Sequence, residues 1–287
     1  MINNKIDFIL TIEVQNANPN GDPLAGNMPR TDSKGFGEIS DVAIKRKIRN
    51  RMQDLGNDIF VVAKDRAVDG FKSLEERFKS VFEKKSKFSD DVVEKTSCEK
   101  WLDVRSFGQV ITYQNRSIGI RGPISIGITK SLQPVEVVTM QITKSVNGKE
   151  TENKNDKSSD TMGSKHFVEH GVYVIYGSVN AYFADKTGFS ENDLQTIKEC
   201  LTTLFVNDAS SARPEGSMEV KELFWFEHSN KLGNISSSKI RELLLWDVPN
   251  EELDKRIQYS DYNIRIDAEK LKELEENGLK LEIIPGY

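Results

Sequence analysis

An alternating apolar pattern near the amino terminus is the strongest constraint on the fold. Ile6, Phe8, Leu10, Ile12 and Val14 recur at every second position. Side chains two residues apart lie on the same face of an extended strand. The pattern therefore predicts a β-strand with one strongly apolar face. Residues 15–30, rich in Asn, Pro and Gly, predict a long turning loop after it, and long ordered loops frequently carry function.

A helix with an apolar stripe is predicted after this loop. The stripe consists of Ile44, Ile48, Met52 and Leu55, which fall within about 80° of one another at helical spacing. Ser40 or Asp41 can cap the amino end, and Gly56 can end the helix. This helix is the first of two in the predicted order.

Later segments complete a βαββαβ order with insertions. Strands are predicted over 101–113, 117–128, 135–145, 162–183 and 218–228, and a second helix over 190–208. Ser190 and Asp193 have the spacing of a capping box at the start of that helix. The order predicts an α+β fold of the ferredoxin-like kind, shared by RNA-recognition domains and by many unrelated proteins.

The same patterns divide the chain into parts. The predicted βαββαβ unit is discontinuous, a helical insertion interrupts it, and two strands flank the polar segment 147–161, which we expect to be the mobile tip of a long hairpin. The predicted divisions are 1–56, 101–135 and 168–240 for the βαββαβ unit, 57–100 for the insertion, 136–167 for the hairpin, and 241–287 for a carboxy-terminal extension with a helix and two short strands.

Composition indicates a soluble globular protein. The chain has 287 residues, 30% of them charged, and a net charge of −5. The two cysteines have neither zinc-site nor disulfide-framework spacing. We find no membrane-length apolar run and no signal-peptide pattern, so we expect a cytoplasmic protein without membrane contact.

Positive charge is concentrated on the first predicted helix. Residues 45–51 contain five Lys or Arg although the chain as a whole is acidic. One interpretation is a solvated helix face. The other is contact with phosphates, which Lys and Arg neutralise without reading sequence. Cations in short glycine-containing segments strengthen the second interpretation: Arg30, Arg105, Arg121 and Lys165.

Enzymatic chemistry has weak support in the sequence. Nucleotide-binding glycine motifs are missing, and no Ser/His/Asp arrangement stands out. His166 and His170 are four residues apart in a stretch where that spacing does not form a metal site. Asp22 and Asp32 could bind a metal, although loop-forming hydrogen bonds explain them more simply. We expect no catalytic residue, no metal and no cofactor.

Apolar side chains flank the predicted hairpin tip. They are Met140, Met162 and Phe167. Local packing is the simpler interpretation. The alternative is a wedge that inserts between nucleic-acid bases, because apolar side chains can unstack them.

Six segments, in this order, resemble one known family. They are "NANPNGDPLAGNMPRTD", "DVAIKRKIRN", "DVRSFGQV", "IRGPISIG", "DTMGSKHFVEHGVYVIYGSVNA" and "KTGFSENDL". Together they resemble the repeated backbone subunit, of the Cas-seven family and Csd type, of the type I-C CRISPR surveillance complex called Cascade. The resemblance covers residues 5–235 approximately, and its combination of segments is far more specific than any one motif.

The resemblance implies a fold and a function. Family members look like a right hand, with an RNA-recognition-like palm, helical fingers and a thumb hairpin that displaces guide bases at intervals. Copies stack along one CRISPR RNA, while base pairing supplies sequence specificity. The implied partners are CRISPR RNA, the target DNA strand, further copies of the chain, Cas-five and Cas-eight type subunits, and a recruited helicase-nuclease.

The resemblance also implies which residues contact RNA. These are Arg30, Lys45, Arg46, Arg49, Arg121, Lys165 and His166; Ser164 stands where the family often has an arginine. Two other hypotheses stay open. One is a metal-dependent RNA endonuclease of the type III backbone kind that uses Asp22 or Asp32. The other is a scaffold that binds no nucleic acid.

Overall fold

The computed structural model describes residues 1–83, 88–143, 162–248 and 257–287. The helices are α1 (Asp41–Asp54), α2 (Leu74–Val81), α3 (Asp90–Lys100), α4 (Leu102–Phe107), α5 (Ala181–Thr187), α6 (Glu191–Thr202), α7 (Ser237–Arg241) and α8 (Ala268–Glu276). The longer strands are β1 (Ile6–Ala17), β4 (Phe36–Ile39), β5 (Gly108–Ile111), β6 (Ile118–Arg121), β7 (Ile124–Ile126), β8 (Thr129–Pro134), β9 (Val137–Thr143), β10 (Met162–Val179), β11 (Met218–Glu227) and β14 (Lys280–Pro285). Four two-residue strands are β2 (Gly21–Asp22), β3 (Met28–Pro29), β12 (Leu244–Leu245) and β13 (Arg265–Ile266).

One antiparallel sheet organises these elements. Its strands follow the order β14-β11-β1-β10-β8-β4, and β7 and β9 also pair with β10. The predicted first strand lies at its centre, where Ile6 pairs with Val179 and Ala17 with Val168. The alternating segment therefore forms a strand, as the sequence predicts, and the structure places it inside the sheet between β11 and β10.

The first face of the sheet packs against α1 and α6. Ile44, Ile48 and Met52 are buried there against the apolar side chains of β1. The Ser40 side chain accepts a hydrogen bond from the Ala43 amide, and Gly56 adopts φ 82° just beyond the helix. The capping box of Ser190 and Asp193 at α6 is also present. These local predictions are confirmed.

The second face of the sheet is covered too, which the alternation of β1 does not predict. Ile9, Val172 and Phe224 pack there against carboxy-terminal side chains that include Leu244 and Tyr262. The strand β14 extends the sheet by pairing with β11. The carboxy-terminal residues thus form part of the same core, and the predicted division at 241 stays a prediction.

A separate core holds the helical insertion together. Phe60, Phe78, Phe82 and Trp101 form its centre. The hairpin of β5 and β6 contributes Ile120 to the same cluster. The insertion is therefore a packed unit of helices and a small hairpin.

Two strand predictions are wrong at one end. Residues 102–107 of the predicted strand 101–113 form α4, and only Gly108–Ile111 are extended. In α4, Leu102 and Ser106 are buried at helical spacing. The strand predicted over 162–183 ends at Val179, because the Asn180 side chain caps α5.

The long hairpin consists of β9 and the first part of β10. These strands pair from Val137↔Val168 to Thr143↔Met162. The expected mobile tip at 147–161 lies outside the described residues.

Candidate nucleic-acid interface

The basic side chains of α1 are engaged within the protein. Lys45 pairs with Asp41 at 2.9 Å, and the Arg46 guanidinium donates to the Val61 carbonyl oxygen at 2.6 Å. Burial lowers the pKa of Arg46. Both side chains keep partial exposure, so contact with RNA stays a prediction for them.

Arg49 and Lys47 lie deeper. The Arg49 Nε donates to Asp103 at 2.8 Å, and Asp103 is fully buried. Lys47 is buried in an ion pair with Asp208, and burial lowers the pKa of its ammonium group. These cations tie α1 to distant segments, a role that a charge pattern alone cannot indicate.

Two aspartates, Asp22 and Asp32, hold the first loop in place through ion pairs and hydrogen bonds. Arg30 pairs with Asp22 at 3.3 Å, and Asp22 also accepts from the Leu24 amide. Asp32 accepts from the Lys130 ammonium at 2.7 Å and from the Lys34 amide at 2.8 Å. The hydrogen bond from Lys130 lowers the pKa of Asp32. Both aspartates thus have the structural partners that loop chemistry predicts.

Arg121 differs from the cations of α1. It is exposed, and its guanidinium lies 4.2 Å from the ring centre of Phe183. The Lys186 ammonium nitrogen lies 5.8 Å from the centre of the same ring. Within residues 1–83, 88–143, 162–248 and 257–287, neither cation pairs with a carboxylate. The sequence patterns do not single out Phe183 or Lys186 as candidate site residues, although the segment "YFADK" places two aromatic residues before a lysine.

The hairpin separates the predicted thumb residues onto two faces. Residues paired across an antiparallel ladder share a face. Met140 pairs with Lys165, and Phe167 pairs with Val138 two residues away, so these side chains share one face. Met162 and His166 lie on the other face, where His166 Nδ1 is 2.8 Å from the Thr139 hydroxyl. The structure therefore does not bring all three wedge candidates together.

The candidate contacts are spread along the sheet. At the base of the hairpin, β9 pairs with β10 at Val168. The strand β7, which follows Arg121 in the chain, pairs with β10 as far as Val179. At 3.3 Å per residue these positions are about 35 Å apart. Groups so distributed can bind an extended polyanion and cannot enclose one small molecule.

No metal centre is evident in the part of the chain that the structure describes. Among these residues, no three His, Cys, Asp or Glu side chains converge as metal ligands. The helices of the described residues also include none that is long and apolar enough to cross a bilayer.

Comparison with known proteins assigns the family. Residues 4–267 match the family described as CRISPR-associated protein Cas7, and the chain belongs to this family. A Haloferax volcanii protein named CRISPR-associated protein Cas7 is 25% identical over 231 residues, which cover 72% of this chain. The matched region spans 66% of that relative's length.

Solved structures share the fold. A chain of a CRISPR RNA-guided surveillance complex superposes with a TM-score of 0.54 at 15% identity, covering 98% of this chain and 88% of that one. A chain of a pre-nicking CRISPR RNA-guided surveillance complex gives a TM-score of 0.51 at 14% identity, covering 95% and 86%. The expected family is confirmed; its type I-C, Csd-type subdivision stays a prediction.

Proposed function

We propose that this chain is a non-catalytic CRISPR RNA-binding subunit that polymerises along the guide to form the backbone of a type I-C Cascade complex in antiviral defence. The observation that carries the proposal is the Cas7 match over residues 4–267, which includes the hairpin and every strand of the main sheet except β14. The surveillance-complex structures with the same fold support it.

The partners follow from this role. They are CRISPR RNA, the target DNA strand paired to it, further copies of the chain, Cas-five and Cas-eight type subunits, and a recruited helicase-nuclease. The proposed location is the cytoplasm, without membrane contact. Base pairing would read sequence, while the protein would recognise the backbone and shape of the guide.

The proposed palm is RNA-recognition-like. Its strands would be β11, β1, β10 and β7, adjacent in that order and antiparallel, with α1 and α6 as the two helices of a βαββαβ unit. Both helices pack on the first face. The proposed fingers are the insertion with its own core, and the thumb is the hairpin of β9 and β10.

The proposed RNA path uses the cations that keep exposure. Arg121 and Lys165 fit best, because neither pairs with a carboxylate among the residues that the structure describes. Arg30, Lys45 and Arg46 could exchange a protein partner for a phosphate. Arg49 would act by positioning α1, and His166 would lie beside the path.

The endonuclease alternative has less support. Asp22 pairs with Arg30 and accepts from the Leu24 amide. Asp32 pairs with Lys130 and accepts from the Lys34 amide. A metal would have to displace these partners. We therefore favour a role without catalysis.

A salt series tests the proposal. Labelled CRISPR RNA and a scrambled RNA of equal length are bound by purified protein at increasing salt, with Mg²⁺ present, and bound mass is read by mass photometry. We expect several copies per RNA, similar affinity for both sequences, and affinity that falls with salt. Lys165→Ala should make the slope of log binding constant against log salt concentration shallower by about 0.7. Lys79 pairs with Glu75 on α2, so Lys79→Ala should leave this slope unchanged.

Each hypothesis predicts a different result. Metal-dependent RNA cleavage that Asp22→Asn or Asp32→Asn abolishes would move the assignment to the endonuclease. A folded protein that binds neither RNA would support the scaffold hypothesis.

A further inference from the structure

Three side chains of α5 and one of β6 make up what we call the α5 platform: Tyr182, Phe183 and Lys186 on α5, and Arg121 on β6. The Arg121 guanidinium carbon lies over the Phe183 ring at 4.2 Å from its centre, and the Lys186 ammonium lies 5.8 Å from the same centre. Tyr182 adjoins Phe183 in the chain, and its side chain is 47% exposed. The α5 platform thus combines an exposed ring with two exposed cations.

The α5 platform is held rigidly. The Asn180 amide donates to the Pro123 carbonyl oxygen at 2.9 Å, which ties α5 to the turn after β6. The Asn180 side chain accepts from the amides of Tyr182 and Phe183 at 3.0 and 3.2 Å. At the other end, the Thr187 hydroxyl donates to the Arg105 carbonyl oxygen at 2.8 Å. A pre-organised surface loses little conformational freedom when it binds.

Positive charge on the α5 platform is not neutralised. The nearby Asp185 pairs with Lys231, whose ammonium lies 5.9 Å from the Tyr182 ring centre. Arg121 and Lys186 have no such carboxylate in the described ranges. On α1, by contrast, Lys45 and Arg49 pair with acids of the same chain. Arg121 and Lys186 therefore lack the acidic partners that Lys45 and Arg49 have on the most basic helix.

We propose that the α5 platform binds a segment of single-stranded nucleic acid, with a base stacked on Tyr182 and phosphate on Arg121 and Lys186. Phe183 covers one face of the Arg121 guanidinium and leaves its N–H fork for a phosphate. An exposed ring accepts any base, so the contact tolerates every sequence. The proposal rests on the proposed function and adds a contact region about 35 Å from the hairpin.

The same chemistry could come from the guide RNA or from the DNA strand paired with it. The test therefore has two arms. In the first, labelled single-stranded RNA is titrated with protein across a salt series. In the second, RNA-loaded protein is titrated with complementary or unrelated labelled DNA. Thermal unfolding of every variant establishes that it folds.

Three variants address the three groups, and the first two have a matched control. Tyr182→Ala should weaken binding about 5- to 150-fold, whereas Tyr287→Ala, another exposed tyrosine, should not. Lys186→Ala should lower the log–log salt slope by about 0.7, unlike Lys79→Ala on α2. Arg121→Lys keeps the charge but loses the planar stack, so affinity should fall.

The outcomes separate the proposal from the proposed function. If the variants bind RNA more weakly in the first arm, the α5 platform contacts the guide. If they bind only the DNA of the second arm more weakly, it contacts the target strand. If the variants bind nucleic acid as tightly as the wild type, the proposed binding at the α5 platform is wrong and the proposed function is unaffected. Variants that bind RNA normally but assemble into fewer copies would show a protein contact and also overturn the proposed binding. A wild-type protein that binds no RNA refutes the proposed function itself.

Discussion

At the residue scale, one buried carboxylate connects α1 with the insertion. Asp103 accepts from the Phe60 amide at 2.7 Å, the Val61 amide at 3.0 Å and the Arg49 guanidinium at 2.8 Å. The Arg49 guanidinium also lies 5.0 Å from the Phe107 ring centre. The cation of a basic run thus neutralises a buried acid, and its loss would affect stability before it affected RNA binding.

Asp103→Ala should therefore destabilise the protein strongly. The substitution leaves a guanidinium and two amides without their acceptor, and breaking a buried pair costs about 3–5 kcal/mol. Urea denaturation measures the free energy of unfolding. Glu75→Ala, which removes an exposed i,i+4 pair with Lys79, should change it by about 0.5 kcal/mol or less. Equal effects of the two variants would contradict the assigned role.

A second buried acid gives stability a pH dependence. The hydrogen bond from His170, supported by Lys221, lowers the pKa of Glu13 from 4.5 to about 2 against the opposing effect of burial. The Tyr259 amide also donates to this carboxylate at 3.0 Å. Because the folded pKa lies below the unfolded one, the carboxylate stabilises the fold above pH 4.5, and this contribution is lost as pH falls toward 2.

Glu13→Gln should remove that contribution. We expect the difference in free energy of unfolding between wild type and variant to be largest above pH 5 and to shrink toward pH 2, as measured by urea denaturation at each pH. Glu219→Gln is the matched control, because Glu219 is exposed and contacts the same Lys221 at 3.2 Å. A difference that does not change with pH would contradict the assignment.

At the element scale, the hairpin presents two unlike faces. Met140 is 52% exposed on the face of Lys165, and Met162 is 62% exposed on the opposite face. If Lys165 holds a phosphate, as proposed, an apolar wedge beside it can separate bases while the backbone is held. Met140 is therefore the better wedge candidate, and Phe167 lies nearer the base of the hairpin on the same face.

Met140→Ala should reduce the displacement of guide bases. Chemical probing of the guide–target hybrid in assembled complexes should show unpaired bases at intervals with the wild type. The reactivity of these bases should fall in Met140→Ala and stay unchanged in Met162→Ala. An equal loss in both variants, or a loss only in Met162→Ala, would refute the choice of face.

Prediction from sequence succeeded where the signal was local. Alternation identified β1, capping residues marked α1 and α6, and the paired arms of the hairpin were recognised from their strand patterns. It failed for residues 102–107, where buried Leu102 and Ser106 follow helical spacing within a segment too short to separate the two periods.

The partners of the candidate site could not be predicted in the same way. Lys47 meets Asp208, and Arg49 meets Asp103, across long sequence separations. A charge run shows where cations lie along the chain but not which acids fold against them. The resemblance predicts the family of the chain, whereas only the structure distinguishes cations that pair with acids from those that do not.

At the scale of the whole molecule, the sheet is buried on both faces by segments far apart in sequence. The first face carries α1 and α6, and the second carries residues of the carboxy-terminal region. Ile9, Val174 and Phe226 on the second face belong to one buried cluster with Leu243 and Leu279. The carboxy-terminal region therefore contributes to the core on the second face of the sheet.

Deleting residues 241–287 should consequently prevent cooperative folding. The deletion removes β14 from the sheet edge and exposes the apolar side chains of the second face to water, and each buried side chain of this size stabilises a fold by about 1.5–3 kcal/mol. We expect binding of an apolar dye such as anilinonaphthalene sulfonate and a broad urea transition. Removing Tyr287 alone, a residue that is almost fully exposed, should leave the transition sharp. A deletion variant that unfolds at the wild-type urea midpoint would mean that the region is an independent extension, as the division at 241 predicts, and that the second face is stable without it.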